Sequence, residues 1–305
     1  MGRICLLLFI MFLSLSFCTS DLFAHADEKE NWYQLAQIFI PANAKLVKPA
    51  RPYGSPSILE YDFNQDNQNE LIITYQIKNK LHHSPPQFCA MVLSKQNAEW
   101  IKVWETCKQG VELDFSGLVD MTGDGIKEYL FSRTIGASAG SELEVYNWKQ
   151  DSLKQVTIIP YHRMDFVMGD QRIGIAAWMR KLADAYTVDV VSWDGENMVL
   201  DDALYAHYYP VIKQFFKKKI SARNAWYYWY CLADSQIKAN HLTDATMSIE
   251  KGMKVTEKES WIEAQNEFKK LKHMLENKKK RVWDNDQTHF FLIFYIHNEV
   301  HLILH

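Results

Sequence analysis

The spacing of apolar residues changes near residue 202, and that change restricts the chain to two unlike halves. Before it, short runs rich in Val, Ile, Tyr, Phe and Trp alternate with polar turns, at 71–77, 87–94, 100–106, 129–134, 143–148, 153–159 and 187–193. Runs of this length and composition, joined by short turns, read as antiparallel strands. Asp194-Gly195, between 188–193 and 198–200, is a hairpin turn signal. After residue 202 the interval becomes helical, over 208–220, 222–239, 243–255 and 257–282. The chain is therefore read as α+β, with an antiparallel β-rich domain over 27–201 followed by an α-helical domain over 202–282.

The N-terminus points to export. Arg3 precedes the apolar run Ile4 to Phe17, and Ala24-His25-Ala26 places small residues where a signal peptidase reads. Residues 1–26 are read as a cleaved signal peptide, and the mature chain as secreted or cell-surface with no transmembrane span. An uncleaved anchor is the alternative, although the run is shorter than the roughly 20 residues a span needs. A lipoprotein reading of Cys18 places Phe17 where a small residue is expected. Removing Arg3 and Asp21 together leaves the net charge at −3, so no global basic field suggests a nucleic-acid partner.

Cys89, Cys107 and Cys231 remain after cleavage. With a hairpin turn centred on Ala98, Cys89 and Cys107 lie opposite each other, on one face with Met91, Leu93, Ile101 and Val103. A cross-strand disulfide is then possible in an exported protein, and two buried thiols in a shifted register are the alternative. Cys231 reads as a packed free thiol in a helix.

Two acidic nine-residue patterns run straight into strands. They are Asp62-Phe-Asn-Gln-Asp-Asn-Gln-Asn-Glu70 and Asp120-Met-Thr-Gly-Asp-Gly-Ile-Lys-Glu128, 58 residues apart. Side-chain oxygens at positions one, three, five and nine, with a turn former at six, can wrap a hard cation such as Ca2+. The ligand set expected for one ion is Asp62, Asn64, Asp66, Glu70 and the carbonyl of Gln68. For a second ion it is Asp120, Thr122, Asp124, Glu128 and the carbonyl of Ile126. The same residue types also cap backbone amides in tight turns without any metal.

The stretch Gly117-Leu-Val-Asp-Met-Thr-Gly-Asp-Gly-Ile-Lys-Glu-Tyr-Leu-Phe131 resembles the FG-GAP (integrin-type) repeat. That resemblance covers roughly residues 55–200, and it implies structural calcium loops between the strands of β-propeller blades. Glu70 and Glu128 stand where that family usually has Asp, and Asn67 replaces the turn glycine. About 170 residues allow roughly three or four blades, so an incomplete or small propeller and a plain β-sandwich both stay open. From Trp229, the residues Leu232, Ala233, Ala245, Ile249 and Gly252 resemble a tetratricopeptide helical hairpin, with Gln236 where that family has an aromatic. This second resemblance implies a groove for a peptide or partner protein.

Gly136-Ala-Ser-Ala-Gly140 matches the serine-hydrolase elbow, with Asp170 and His207 downstream, but Ser141–Trp148 alternates as a strand where that mechanism needs a helix. The adjacent His82-His83 reads as a surface loop. His297, His301 and His305 fall at a zinc-compatible helical spacing within an atypical tail, 283–305. The expected function is a non-enzymatic binding scaffold with calcium-stabilised loops and a protein or cell-surface ligand. The alternative is an extracellular serine esterase using Ser138.

Overall fold

The computed structural model describes residues 31–79, 84–170, 172–258 and 260–281. The chain is α+β, with three open antiparallel sheets followed by four helices. The described residues form two compact units, one of residues 31–119 with 126–158 and one of residues 120–125 with 159–281. The change of secondary structure at residue 202 thus falls inside the second unit.

In the first unit, a five-stranded sheet contains β1 (Ala44–Leu46), β2 (Ile58–Tyr61), β3 (Glu70–Ile77), β4 (Gln87–Gln96) and β5 (Glu99–Gln109). β1 and β2 pair with different stretches of one edge of β3, whose other edge pairs with β4. β3 is therefore central and reads as a continuous apolar run, because both of its faces are covered. On one face Leu71, Ile73, Tyr75, Met91 and Leu93 pack against Ala36 and Ile40, from helix α1 (31–39) and the residue after it. The opposite face, with Ile72, Phe88 and Val92, packs on a second sheet through Leu113, Tyr129 and Phe131. Each such side chain, fully buried, contributes about 1.5–3 kcal/mol of transfer free energy.

That second sheet is a meander of β6 (Glu112–Val119), β7 (Glu128–Gly136), β8 (Gly140–Lys149) and β9 (Ser152–Tyr161). It buries charged side chains, Glu128, Arg133 and Glu144. Glu144 on β8 is inaccessible to solvent and meets Arg133 at 3.0 Å, Lys108 at 3.1 Å and the Tyr146 hydroxyl. A buried carboxylate is tolerable only with such partners.

Cys89 and Cys107 are opposite each other and disulfide-bonded. The register arises differently from the symmetric hairpin expected. The turn is the two-residue Asn97-Ala98, both left-handed, which pairs Gln96 with Glu99. Continued regularly, it would set Cys89 against Thr106. A bulge between Val92 and Leu93 on β4, opposite Lys102 and Trp104, shifts the pairing by one residue and brings Cys107 into place. The expectation that Val103 shares the cysteine face is therefore corrected: the extra residue reverses the alternation, and Val103 packs in the cluster on the other face.

In the second unit, β10 (Arg163–Met168), β11 (Ile173–Leu182), β12 (Ala185–Trp193) and β13 (Met198–Leu200) form the third sheet, again in chain order. Four helices follow: α2 (Asp202–Ala222), α3 (Trp226–Lys238), α4 (Leu242–Lys258) and α5 (262–281). The start of α2 is fixed by Asp201, whose carboxylate accepts from the N–H groups of Ala203 and Leu204. Its apolar stripe Leu204, Tyr208, Ile212 and Phe216 joins Trp178, Val188 and Val190 in one core. The indole N–H of Trp178 donates to the Tyr208 hydroxyl at 3.1 Å, which in turn donates to Asp165. α3 and α4 form the expected helical hairpin. At Gly252 a Cβ would stand 2.1 Å from the ring of Phe268 on α5, so glycine permits the close approach. Among the described residues, no helix is long and apolar enough to cross a membrane.

Candidate functional site

The two acidic loops are left-handed at the same two positions. At position six, Asn67 has φ 66° and Gly125 φ 89°, and at position four Gln65 has φ 60° and Gly123 φ 79°. Each first-position Asp spreads both oxygens over the loop's own amides. Asp62 accepts from the N–H of Asp66 at 3.1 Å and of Asn67 at 2.8 Å. Asp120 accepts from the N–H of Gly123 at 2.7 Å and of Gly125 at 3.0 Å. Position two is a buried apolar anchor in both, Phe63 and Met121. Phe63 stacks on Trp148 with ring centroids 5.0 Å apart.

The remaining ligand positions differ between the copies. In the first loop Asn64 accepts from the Asp66 N–H and donates its amide to the Asp66 carboxylate, both at 3.1 Å, and Asp66 accepts from the Gln68 N–H at 2.8 Å. In the second, the Thr122 hydroxyl is buried with no hydrogen-bond partner. Asp66 and Asp124 are exposed. Among the described residues, no three His, Cys, Asp or Glu side chains converge as a metal-binding group.

Position nine begins the strand that follows each loop. Glu70 and Glu128 open β3 and β7, and both are buried. Glu70 accepts from the Phe63 N–H at 2.9 Å and from the Ser94 hydroxyl at 3.2 Å. Burial pushes its carboxyl pKa above the ordinary value, against the lowering effect of these two donors. In this arrangement Glu70 ties position two to the strand. The anchors at position two and the left-handed position four were not part of the sequence expectation. An apolar residue after each first Asp, at Phe63 and Met121, was the available signal.

The serine motif is placed plainly. Gly136 pairs with Gly140 across a three-residue turn, so Ser138 sits at the tip of the β7–β8 hairpin with a strand on either side. Asp170 and His207 line a cavity of about 490 Å³ in the second unit with Met168, Arg172 and Leu204, and Arg172 pairs with Asp201 at 2.8 Å. The signal segment 1–26, His82-His83 and the tail 283–305 with its histidines lie outside the described residues.

In the helical hairpin, Leu232, Ala233, Ala245 and Ile249 are buried core residues. Trp229 is half-buried and donates to Asn224 at 2.6 Å. Cys231 is a buried free thiol, pushed up in pKa by its burial. No family model matches the chain, and comparison with curated proteins yields no match.

Proposed function

We propose that the protein is an exported, non-enzymatic binding scaffold in which each acidic loop holds one calcium ion that fixes its turn. The observation that carries this reading is what the two loops share, left-handed backbone at positions four and six with the first Asp bracing position six. A loop held this way presents its side-chain oxygens at fixed places before any ion arrives. The donors are all oxygen, which suits a hard cation. Each first-position carboxylate keeps lone pairs beyond those its amides use, and the partnerless Thr122 hydroxyl offers a further oxygen.

Asp62, Asn64, Asp66 and the Gln68 carbonyl would hold one ion, with Glu70 closing the loop from the strand side. Asp120, Thr122, Asp124 and the Ile126 carbonyl would hold the other, with Glu128 in the equivalent place. Bound calcium would supply charge neutralisation for carboxylates gathered in a short loop. The Cys89–Cys107 bond supports the exported reading, because such bonds persist in oxidising compartments.

Calcium titration calorimetry, with melting followed in calcium and in chelator, tests the proposal. Saturable binding of one or two ions, a higher melting temperature in calcium, and loss of one ion in Asp62→Ala or Asp120→Ala are expected. No heat at millimolar calcium and unchanged melting would overturn it and leave both loops as metal-free turns.

A further inference from the structure

A trough crosses the outer surface of α2, α3 and α4. One depression of about 420 Å³ is lined by Ile220, Trp229, Leu232 and Met247, with Lys213, Lys217 and Lys251 at its rim. A second of about 690 Å³ continues it past Trp229 and Lys251 to Lys254, Val255 and Lys258. Two shared residues make the depressions continuous. Five lysines therefore border the trough against one acid, Asp244, in a chain whose net charge is −3.

That one acid is already paired with Lys213 at 3.6 Å. Lys251 lies over the Trp229 ring at 5.2 Å. Among the described residues, Lys217, Lys254 and Lys258 form no ion pair. Glu250 and Glu257 lie on α4 about 40° and 60° round from Lys254, beside it on the helix surface, but line neither depression. The trough thus concentrates positive charge over an apolar floor.

Beneath the floor lies one buried amide. Gln236, 4% exposed, lies under the trough beside the Tyr209 hydroxyl.

We infer that this trough binds an acidic peptide segment of a partner protein, with apolar side chains on the floor and carboxylates on the lysine rim. The inference rests on the reading of the chain as a binding scaffold and names its partner's chemistry; it does not depend on calcium. Length agrees: Asp244 to Lys258 along α4 spans about 21 Å, the reach of about six extended residues. The pairing of an apolar floor with a basic rim favours a peptide. A nucleic-acid backbone or a lipid headgroup brings negative charge without apolar side chains for the floor, whereas a peptide can carry carboxylates and apolar side chains together.

The test is fluorescence anisotropy on the full chain with a labelled peptide of about ten residues, mostly Glu with Leu and Phe interspersed. Its Gln-for-Glu counterpart, a single-stranded oligonucleotide and anionic phosphatidylserine vesicles run beside it. Saturable binding of the acidic peptide, weakened at least about tenfold in Lys217→Glu/Lys254→Glu and unchanged in Lys272→Glu, is expected. The neutral pair Lys217→Gln/Lys254→Gln serves if charge reversal lowers the melting temperature. The inference is overturned by no peptide binding at low salt, by binding indifferent to these lysines, or by binding of oligonucleotide or vesicles alone. Each titration is run in calcium and in chelator. Peptide binding that fails while calcium binds sinks only the trough, and calcium binding that fails while peptide binds sinks only the loops.

Discussion

Lys238 on α3 reaches Asp189 on β12 at 2.8 Å and Asp234, one helical turn back, at 2.9 Å. It also donates to the Val188 carbonyl at 3.0 Å, so a single ammonium ties the helical hairpin to the third sheet. Burial alone would lower its pKa, but Asp234 and Asp189 outweigh that and hold it above the ordinary 10.5. Lys238→Met should cost about 3 kcal/mol, because it leaves the buried Asp234 without a counter-charge. Lys238→Met/Asp234→Leu should recover part of this loss. The stabilisation is fully present below pH 10.5 and is lost as pH rises through the higher folded pKa. Urea unfolding of the three proteins measures both effects, and equal costs for single and double variants would refute the pairing.

Asp201 carries the opposite sign. Burial would raise its pKa, but the Ser192 hydroxyl, the Leu204 N–H and Arg172 together hold it below the ordinary 3.8. Its contribution is therefore present above pH 3.8 and lost as pH falls through the lower folded value. Asp201→Ala should cost about 2 kcal/mol at neutral pH through loss of the α2 cap. The gap to the parent protein should close in acid, and a gap that stays constant with pH would show that the cap does not depend on the carboxylate's charge.

The disulfide gives a third test. Its cysteines are 18 residues apart, a closed loop for which chain-entropy arguments give about 3 kcal/mol. Denatured, unreduced protein lacking residues 1–26 should show one reactive thiol, that of Cys231. Three thiols would refute the bond, and Cys89→Ala/Cys107→Ala should melt lower by roughly 10 °C.

The places where sequence reading succeeded and failed have physical causes. Strands dense in β-branched and aromatic residues, such as β3 and β12, were legible because their composition and their environment agree. β11 was not: its Ala176-Ala177-Trp178-Met179 carries little strand preference, and pairing with β10 on one side and β12 on the other decides its conformation. The β4–β5 bulge was equally hidden, since one inserted residue reverses the alternation without changing composition. In the acidic loops, position six was legible from Asn67 and Gly125. Position four was not, because Gln65 is an unusual left-handed residue. The lysine trough draws Lys213 and Lys217 from α2 and Lys251, Lys254 and Lys258 from α4, so it exists only once those helices lie side by side. The helical spacing within each set was the signal available.

Gly252 and Phe268 set the packing of α5. An added methyl would meet the ring at 2.1 Å, and the ring is fully buried. Gly252→Ala should cost about 1–3 kcal/mol by overpacking. Phe268→Leu in the same chain should relieve part of that cost. A double-mutant cycle with no coupling would show that α5 accommodates the methyl by shifting as a whole.

The equivalence of the two acidic loops can be tested through backbone preference alone. At Gly125 an added Cβ meets nothing within 4 Å, and φ is 89°. Gly125→Ala therefore costs only the left-handed penalty, about 1–2 kcal/mol, and Gly125→Asn costs less, because Asn tolerates that region and already serves at the matching Asn67. Gln65 occupies position four at φ 60°, where the second loop has Gly123. Gln65→Gly removes the same penalty, and glycine's greater freedom in the unfolded chain offsets part of it, so a net gain below about 1 kcal/mol is expected. Urea unfolding in chelator isolates these terms from any ion. A loss at Gly125→Ala with a gain at Gln65→Gly is the outcome that one shared loop conformation requires. A loss at both would mean that Gln65 earns its place through contacts of its own, and the two loops would then be alike in sequence pattern but not in what holds them.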